Sequence, residues 1–226
     1  GANGVVLIST RKGNAGKTKI SFSGYAGVQN SINNQQLLNG PQWYDLQAEI
    51  NKTRTNKIDL SKVNRNTSTD WMKEVTQVAP IQNYNLDING GEGDILYAAS
   101  VGYFNQDGTI RGTKFDRLTL RLNSEAKIMK NVTLGSNLSL SISNRSQVLE
   151  GSESWGIVST AVRLEPVVPV YKADGTYGSS PYVDSNNPVA SIQYTDTQYK
   201  NLNLVGNIFL NIELESQKDS KSNIDN

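Results

Sequence analysis

FDRLTLRLNSEAKIMKNVTLGSNLSLSISNRS, residues 115–146, decides the fold of this chain. Leu118, Leu120 and Leu122 alternate with Arg117, Thr119, Arg121 and Asn123. After a break at Met129-Lys130, Val132, Leu134, Leu138, Leu140 and Ile142 alternate with Thr133, Gly135, Asn137, Ser139, Ser141 and Ser143. Successive strand side chains point to opposite faces, so each half is a strand with one apolar and one polar face. The break is then a tight turn, and the pair is an antiparallel hairpin.

The same period of two runs outward in both directions. Ile20 and Phe22 alternate with Lys19, Ser21 and Ser23; Tyr84, Leu86 and Ile88 alternate with Asn83, Asn85, Asp87 and Asn89. Leu202, Leu204, Ile208, Leu210, Ile212 and Leu214 alternate with Asn201, Asn203, Asn207, Asn211 and Glu213, although Val205 and Phe209 fall on the polar side. Six strands are predicted, at about 17–28, 79–90, 94–106, 115–128, 131–146 and 197–214. They are longer than the roughly five or six residues of an ordinary strand, and they exceed the ~9–11 that cross a bilayer. Their polar faces carry Asn, Arg and Lys rather than a second set of Val and Leu. That favours a watery interior over the dry inside of a sandwich. The expected architecture is all-β: an antiparallel meander of six long strands forming an open portion of a transmembrane β-barrel, with short helices in the long loops.

The connections alternate in length. Gly90-Gly91-Glu92-Gly93 and Met129-Lys130 are short turns. On the other edge lie a long insert (about 29–78), a short loop (107–114) and another long insert (about 147–196). Short turns on one rim and longer loops on the other match periplasmic turns and extracellular loops of an outer-membrane barrel. Pro41 marks a helix start followed by the stripe Trp43, Leu46, Ile50; Trp71, Val75 and Val78 form a second stripe; Trp155, Val158 and Val162 form a third, ended by Pro166. Trp43, Trp71 and Trp155 therefore all lie in inserts. They are either small packing anchors or an aromatic platform for a sugar or peptide ligand. Tyr84, Tyr97, Tyr103, Phe104 and Phe115 lie in or near strand ends, as interfacial girdle residues or as ordinary strand aromatics.

Composition narrows the chemistry. The 226 residues include no Cys and no His, and the net charge is +1. Thiol nucleophiles, disulfides, Cys/His zinc sites and His-based triads are excluded, and no nucleic-acid groove or polybasic membrane patch is indicated. The lack of Cys fits a bacterial envelope. No apolar stretch approaches the roughly 20 residues of a membrane helix, and no secretory signal is present in the sequence. Gly13-Asn14-Ala15-Gly16-Lys17-Thr18 ends like a phosphate-binding loop. However, Arg11 stands where its first glycine would fall, and strand-like residues follow where a helix is needed. Asp45 and Glu49 form a solvated helix face, and Asp107-Gly108 and Asp174-Gly175 are turns. No catalytic residue, metal ligand or cofactor is expected, and the chain is not expected to be an enzyme.

Several segments, in order, resemble SusC/RagA-type TonB-dependent outer-membrane transporters. Gly1-Ala2-Asn3-Gly4-Val5-Val6-Leu7-Ile8-Ser9-Thr10-Arg11-Lys12-Gly13 resembles the junction of plug and barrel. Thr69-Asp70-Trp71, then 79–86 (APIQNYNL), Gly90-Gly91, 97–108 (YAASVGYFNQDG), 115–123 (FDRLTLRLN) and 186–190 (NNPVA) follow. The resemblance runs to about Glu213. It implies a barrel of about 22 strands around a plug, in the outer membrane of a Gram-negative, Bacteroidota-like bacterium. It implies import of oligosaccharides or peptides with a SusD-like surface lipoprotein, driven by TonB acting through the plug, with outer-membrane lipid around the wall. Residues 1–13 would end the plug, 14–214 would begin the barrel, and 215–226 form a polar tail. On this reading the chain is a fragment, and six strands with open edges are not expected to transport alone. The competing expectation is a soluble β-rich carbohydrate-binding or adhesion module.

Overall fold

The computed structural model describes residues 13–32, 36–149 and 155–214. The expected plug end (1–12 of 1–13) and the polar tail (215–226) lie outside the described residues. Six strands form one antiparallel sheet in chain order: β1 (Gly16–Gln29), β2 (Ala79–Glu92), β3 (Ile95–Asp107), β4 (Lys114–Met129), β5 (Val132–Gln147) and β6 (Thr197–Ile212). The strands agree with the alternation to within about two residues. The first turn is tighter than expected, at Gly93-Asp94, because β2 runs on to Glu92; the second is shifted by one residue, to Lys130-Asn131, because β4 runs on to Met129. Gly93 supplies the positive φ (58°) that closes the first turn. Gly16-Lys17-Thr18, the end of the phosphate-loop look-alike, opens β1 and leads into no helix.

The register sorts the faces. One face carries three apolar rows: Ile20, Ile88, Ala99, Leu122, Leu138, Gly206; Phe22, Leu86, Val101, Leu120, Leu140, Leu204; and Gly24, Tyr84, Tyr103, Leu118, Ile142, Leu202. Above them the same face turns polar, at Gln82, Asn105, Asp116, Asn144 and Lys200. Below them hydroxyls pair with each other, Ser124 with Ser136 at 2.9 Å and Thr18 with Tyr97 at 2.5 Å. The face then turns apolar again at Ile95, Ala126, Leu134 and Leu210. From Leu118 to Ala126 this band covers about 27 Å along the strand, or about 20 Å in height at barrel tilt. The opposite face is polar. The sheet curls toward it and encloses a cleft of about 830 Å³ that runs from Asp87 and Asn89 across Arg121 and Asn123 to Asn207.

Among the described residues no second sheet backs either face, and the apolar face is exposed along its length. The sandwich that a soluble β-module would need is therefore not the architecture. Tyr84, Tyr97 and Tyr103 lie on the apolar face. Phe104 and Phe115 lie on the polar one, 5.9 Å apart by ring centroid, with the Arg117 guanidinium 5.9 Å from the Phe104 ring.

Single-layer packing uses glycine as a socket for aromatic rings. Tyr84 covers Gly24, its cross-strand partner, and Phe209 covers Gly135. Phe209 interrupts the polar alternation of β6 because its ring fills the space a Gly135 side chain would occupy. Gly135→Ala is expected to displace that ring and destabilise the fold by about 1–3 kcal/mol. In a Phe209→Ala background the same change should cost far less. Urea unfolding in detergent measures the coupling; additive effects would show that the ring does not depend on the missing side chain.

Candidate functional site

All three longer connections leave the same rim, and they pack into one cap. Its helices are α1 (Gly40–Thr53), α2 (Trp71–Val75), α3 (Ile157–Arg163) and α4 (Pro188–Tyr194). Asn39 begins α1 with a reciprocal cap: the Gln42 amide donates to Asn39 Oδ1 (2.9 Å) and the Asn39 amide to Gln42 Oε1 (3.0 Å). Pro41 sits in the first turn, as expected. Asp70 caps α2 by accepting from the Lys73 amide at 3.1 Å. Asn187 begins α4, accepting from the Val189 and Ala190 amides while its own Nδ2 donates to the carbonyls of Val170 and Gly178. No helix was expected here; its signal was Asn187-Pro188, within one of the family-like segments.

The buried core lies in the cap. Trp71 and Val75 from α2, Ile157, Ala161 and Leu164 from α3, and Val148 and Val168 form it, with Ile110 of the β3–β4 loop against its side. Trp71 is 2% exposed, and its Nε1 donates to the Glu165 carbonyl at 3.1 Å. The Thr69 amide donates to the Pro166 carbonyl (2.8 Å) and Thr69 Oγ1 to the Val168 carbonyl (2.7 Å). These bonds tie the first insert to the second. The β3–β4 loop joins through Arg111 N to Val75 O and Gln77 N to Thr109 O, both at 2.9 Å.

Two sequence stripes need correction. α2 stops at Val75, so Val78 lies beyond it and is exposed. α3 buries Ile157, Thr160, Ala161 and Leu164, and turns Val158 and Val162 outward, with Trp155 48% exposed before its start. Two stripes of helical spacing coexist in this short segment. The buried one contains the small Ala161 and Thr160, which allow the helix to approach α2 closely.

A cleft of about 700 Å³ opens beside the Trp71 staple, lined by Leu37, Trp43, Asp70, Trp71, Arg163 and Glu165 among others. Trp43 stacks on Tyr182 with centroids 5.8 Å apart, and the Tyr182 hydroxyl donates to the Asp59 carbonyl at 2.8 Å. The structure thus brings Trp43 and Trp71 to one cleft, the first on its wall and the second buried in its floor, and leaves Trp155 outside it. Burial, then the nearby Asp59 and Glu165 charges, push the Tyr182 hydroxyl pKa up. Asp45 accepts from Arg65 Nε (2.9 Å) and Nη2 (2.6 Å) in an exposed ion pair. That bonding, with the guanidinium charge, holds its carboxyl below the usual range. Glu165, which the sequence reading did not single out, is 6% exposed, and its Oε2 has no hydrogen-bond partner among the described residues. Its signal was a carboxylate inside the apolar run Leu164-Glu165-Pro166-Val167-Val168. Among the described residues no cluster of three or more acidic side chains could hold a metal.

Trp71→Ala is expected to cost about 3–5 kcal/mol and to release both inserts to limited proteolysis. Trp155→Ala is expected to change stability by less than about 0.5 kcal/mol. If the two variants were equally stable, Trp71 would not be the anchor of the cap.

No family model matches the chain. It is 28% identical over 196 residues to TonB-dependent receptor P3 of Formosa agariphila, an alignment covering 84% of this chain and 19% of that protein. It is 24% identical over 222 residues to TonB-dependent receptor SusC of Bacteroides thetaiotaomicron, covering 96% of this chain and 21% of SusC. The chain spans about a fifth of the length of the curated relatives it matches. Its fold matches a chain of the RagAB peptide importer in the closed-closed state with a TM-score of 0.71 and 21% identity, covering 91% of this chain and 27% of that one. The sequence is thus similar to TonB-dependent receptors of the SusC/RagA type, and the six-stranded sheet has the fold of a stretch of RagA-type barrel wall.

Proposed function

We propose that the chain is part of a TonB-dependent outer-membrane transporter. The observation that carries this is the single-layer sheet with one apolar and one polar face, its strands 13 to 16 residues long. In lipid, backbone groups have no water to bond. A sheet tolerates that medium only when every strand is paired and the lipid-facing side chains are apolar. β1 and β6 each have one neighbour among the described residues, so the sheet is one arc of a larger wall and does not transport alone.

On this reading residues 14–214 belong to the barrel, residues 1–13 end the plug, and 215–226 are a polar tail. The polar face lines the lumen and meets the plug, through which TonB acts. The inserts 29–78 and 147–196 face the outside, where a SusD-like lipoprotein delivers a glycan or peptide. The cap cleft, with Trp43 on its wall, is the ligand-facing part of this arc; Trp71 shapes its floor and Trp155 lies on the cap surface. The sequence similarity to TonB-dependent receptors supports the transporter reading, and the glycan or peptide is part of the proposal.

Because the chain has no native Cys, single cysteines report on each face cleanly. Bimane attached at Leu118→Cys, Leu120→Cys and Leu122→Cys before insertion into vesicles is expected to be quenched by brominated lipid tails. Bimane at Thr119→Cys and Arg121→Cys is expected to be spared. Equal quenching at successive positions would overturn the transmembrane reading.

A further inference from the structure

We propose that the cap cleft binds a cationic nitrogen group, the protonated amine of an amino sugar or of a lysine side chain, against Glu165 and Trp43. The inference rests on the cap being the ligand-facing side, and it names the chemistry that this side selects. Glu165 lines the cleft while almost completely withdrawn from solvent, and its inner oxygen, Oε2, receives no hydrogen bond among the described residues. A carboxylate withdrawn from water without a donor is costly, and a cationic nitrogen beside it offsets the charge where a neutral hydroxyl does not.

Other features of the cleft agree. Asp70 and Arg163 line it as well, the Asp70 carboxyl already accepting from the Lys73 amide. Arg163 is exposed at the end of α3 and forms no ion pair with Glu165 among the described residues. Trp43, braced by Tyr182, offers an aromatic face that attracts cations and stacks on the C–H face of a sugar ring. The volume of about 700 Å³ lies within the usual range of small-molecule sites. The Trp71 bond to the Glu165 carbonyl and the buried Val167 and Val168 that follow fix the backbone that carries the carboxylate.

The test uses the protein in the length its own cells make, in detergent, with binding followed by calorimetry. The probes are a glucosamine trisaccharide and its fully N-acetylated counterpart, and a trilysine peptide and its side-chain-acetylated counterpart. In the arm matching the natural source, the amine form is expected to bind about tenfold or more tightly than the acetylated form. Glu165→Gln, which keeps the shape, should erase that preference, and Trp43→Ala should weaken both forms. Equal affinity for amine and acetylated forms in both arms, a preference that survives Glu165→Gln, or no amine binding at millimolar concentration would each overturn the proposal. The lipid-quenching measurement is independent of Glu165, so loss of this selectivity is distinguishable from failure of the transporter reading.

Discussion

A sheet with nothing stacked behind it must satisfy its surroundings one face at a time. Over long strands the ladders pair the backbone groups, so only side chains meet the medium on either face. The outward rows are apolar, and the hydroxyls among them pair with each other rather than wait for water. With no second layer to interdigitate among the described residues, packing is found within the layer, where rings lie across glycines on neighbouring strands. This one constraint explains the length of the strands, the amide-rich inner face and the curl that gives that face a cleft.

The dry core that a soluble domain would place behind its sheet sits instead on the rim. Strand pairing fixes the roots of the three long connections, and the cap is the structure those roots allow. Its centre is Trp71, which fills the space between α2 and α3 and bonds a carbonyl 94 residues further along the chain. The cap is joined to the wall through the β3–β4 loop. There Gly112, at φ 81°, sits so close to Val148 and Ile192 that a side chain would collide with them. The cap is therefore held against the rim of the sheet, as a site on a rigid support needs to be.

The strands were legible because alternation sustained over a dozen residues has no competing explanation. Their ends were less so, since Gly91 and Met129 suit a turn and a ladder equally well. Among the cap helices α1 was legible at its start, where Pro41 marks it, whereas α4 was not expected, although Asn187-Pro188 carries capping chemistry, and the orientation of α3 was not legible. In α3 the bulky stripe of Trp155, Val158 and Val162 outweighs Ile157, Ala161 and Leu164 by side-chain size, yet the smaller side chains are the buried ones. A sequence cannot show that closeness of approach, rather than bulk, decides the packed face. Nor could it separate Trp43 from Trp71. Both precede short apolar stripes, and only the tertiary partner, Tyr182 for one and the Glu165 carbonyl for the other, makes one a wall and the other a floor.

Glu165 brings these strands of argument together. Its carbonyl belongs to the structure, because Trp71 needs a buried acceptor and the cap has its core there. Its carboxylate serves no such purpose: Gln or Met would fill the volume without placing a charge where water scarcely reaches. A residue whose backbone is needed for packing, and whose side chain works against it, marks the point where stability and binding have separate demands. In this fold that point lies in the cap, on the rim of the wall and beside its only aromatic stack between the two inserts among the described residues, Trp43 on Tyr182. On the proposed reading the wall lines a passage, and selection falls to the cap on its rim, where a few fixed side chains can reward one chemical group over another.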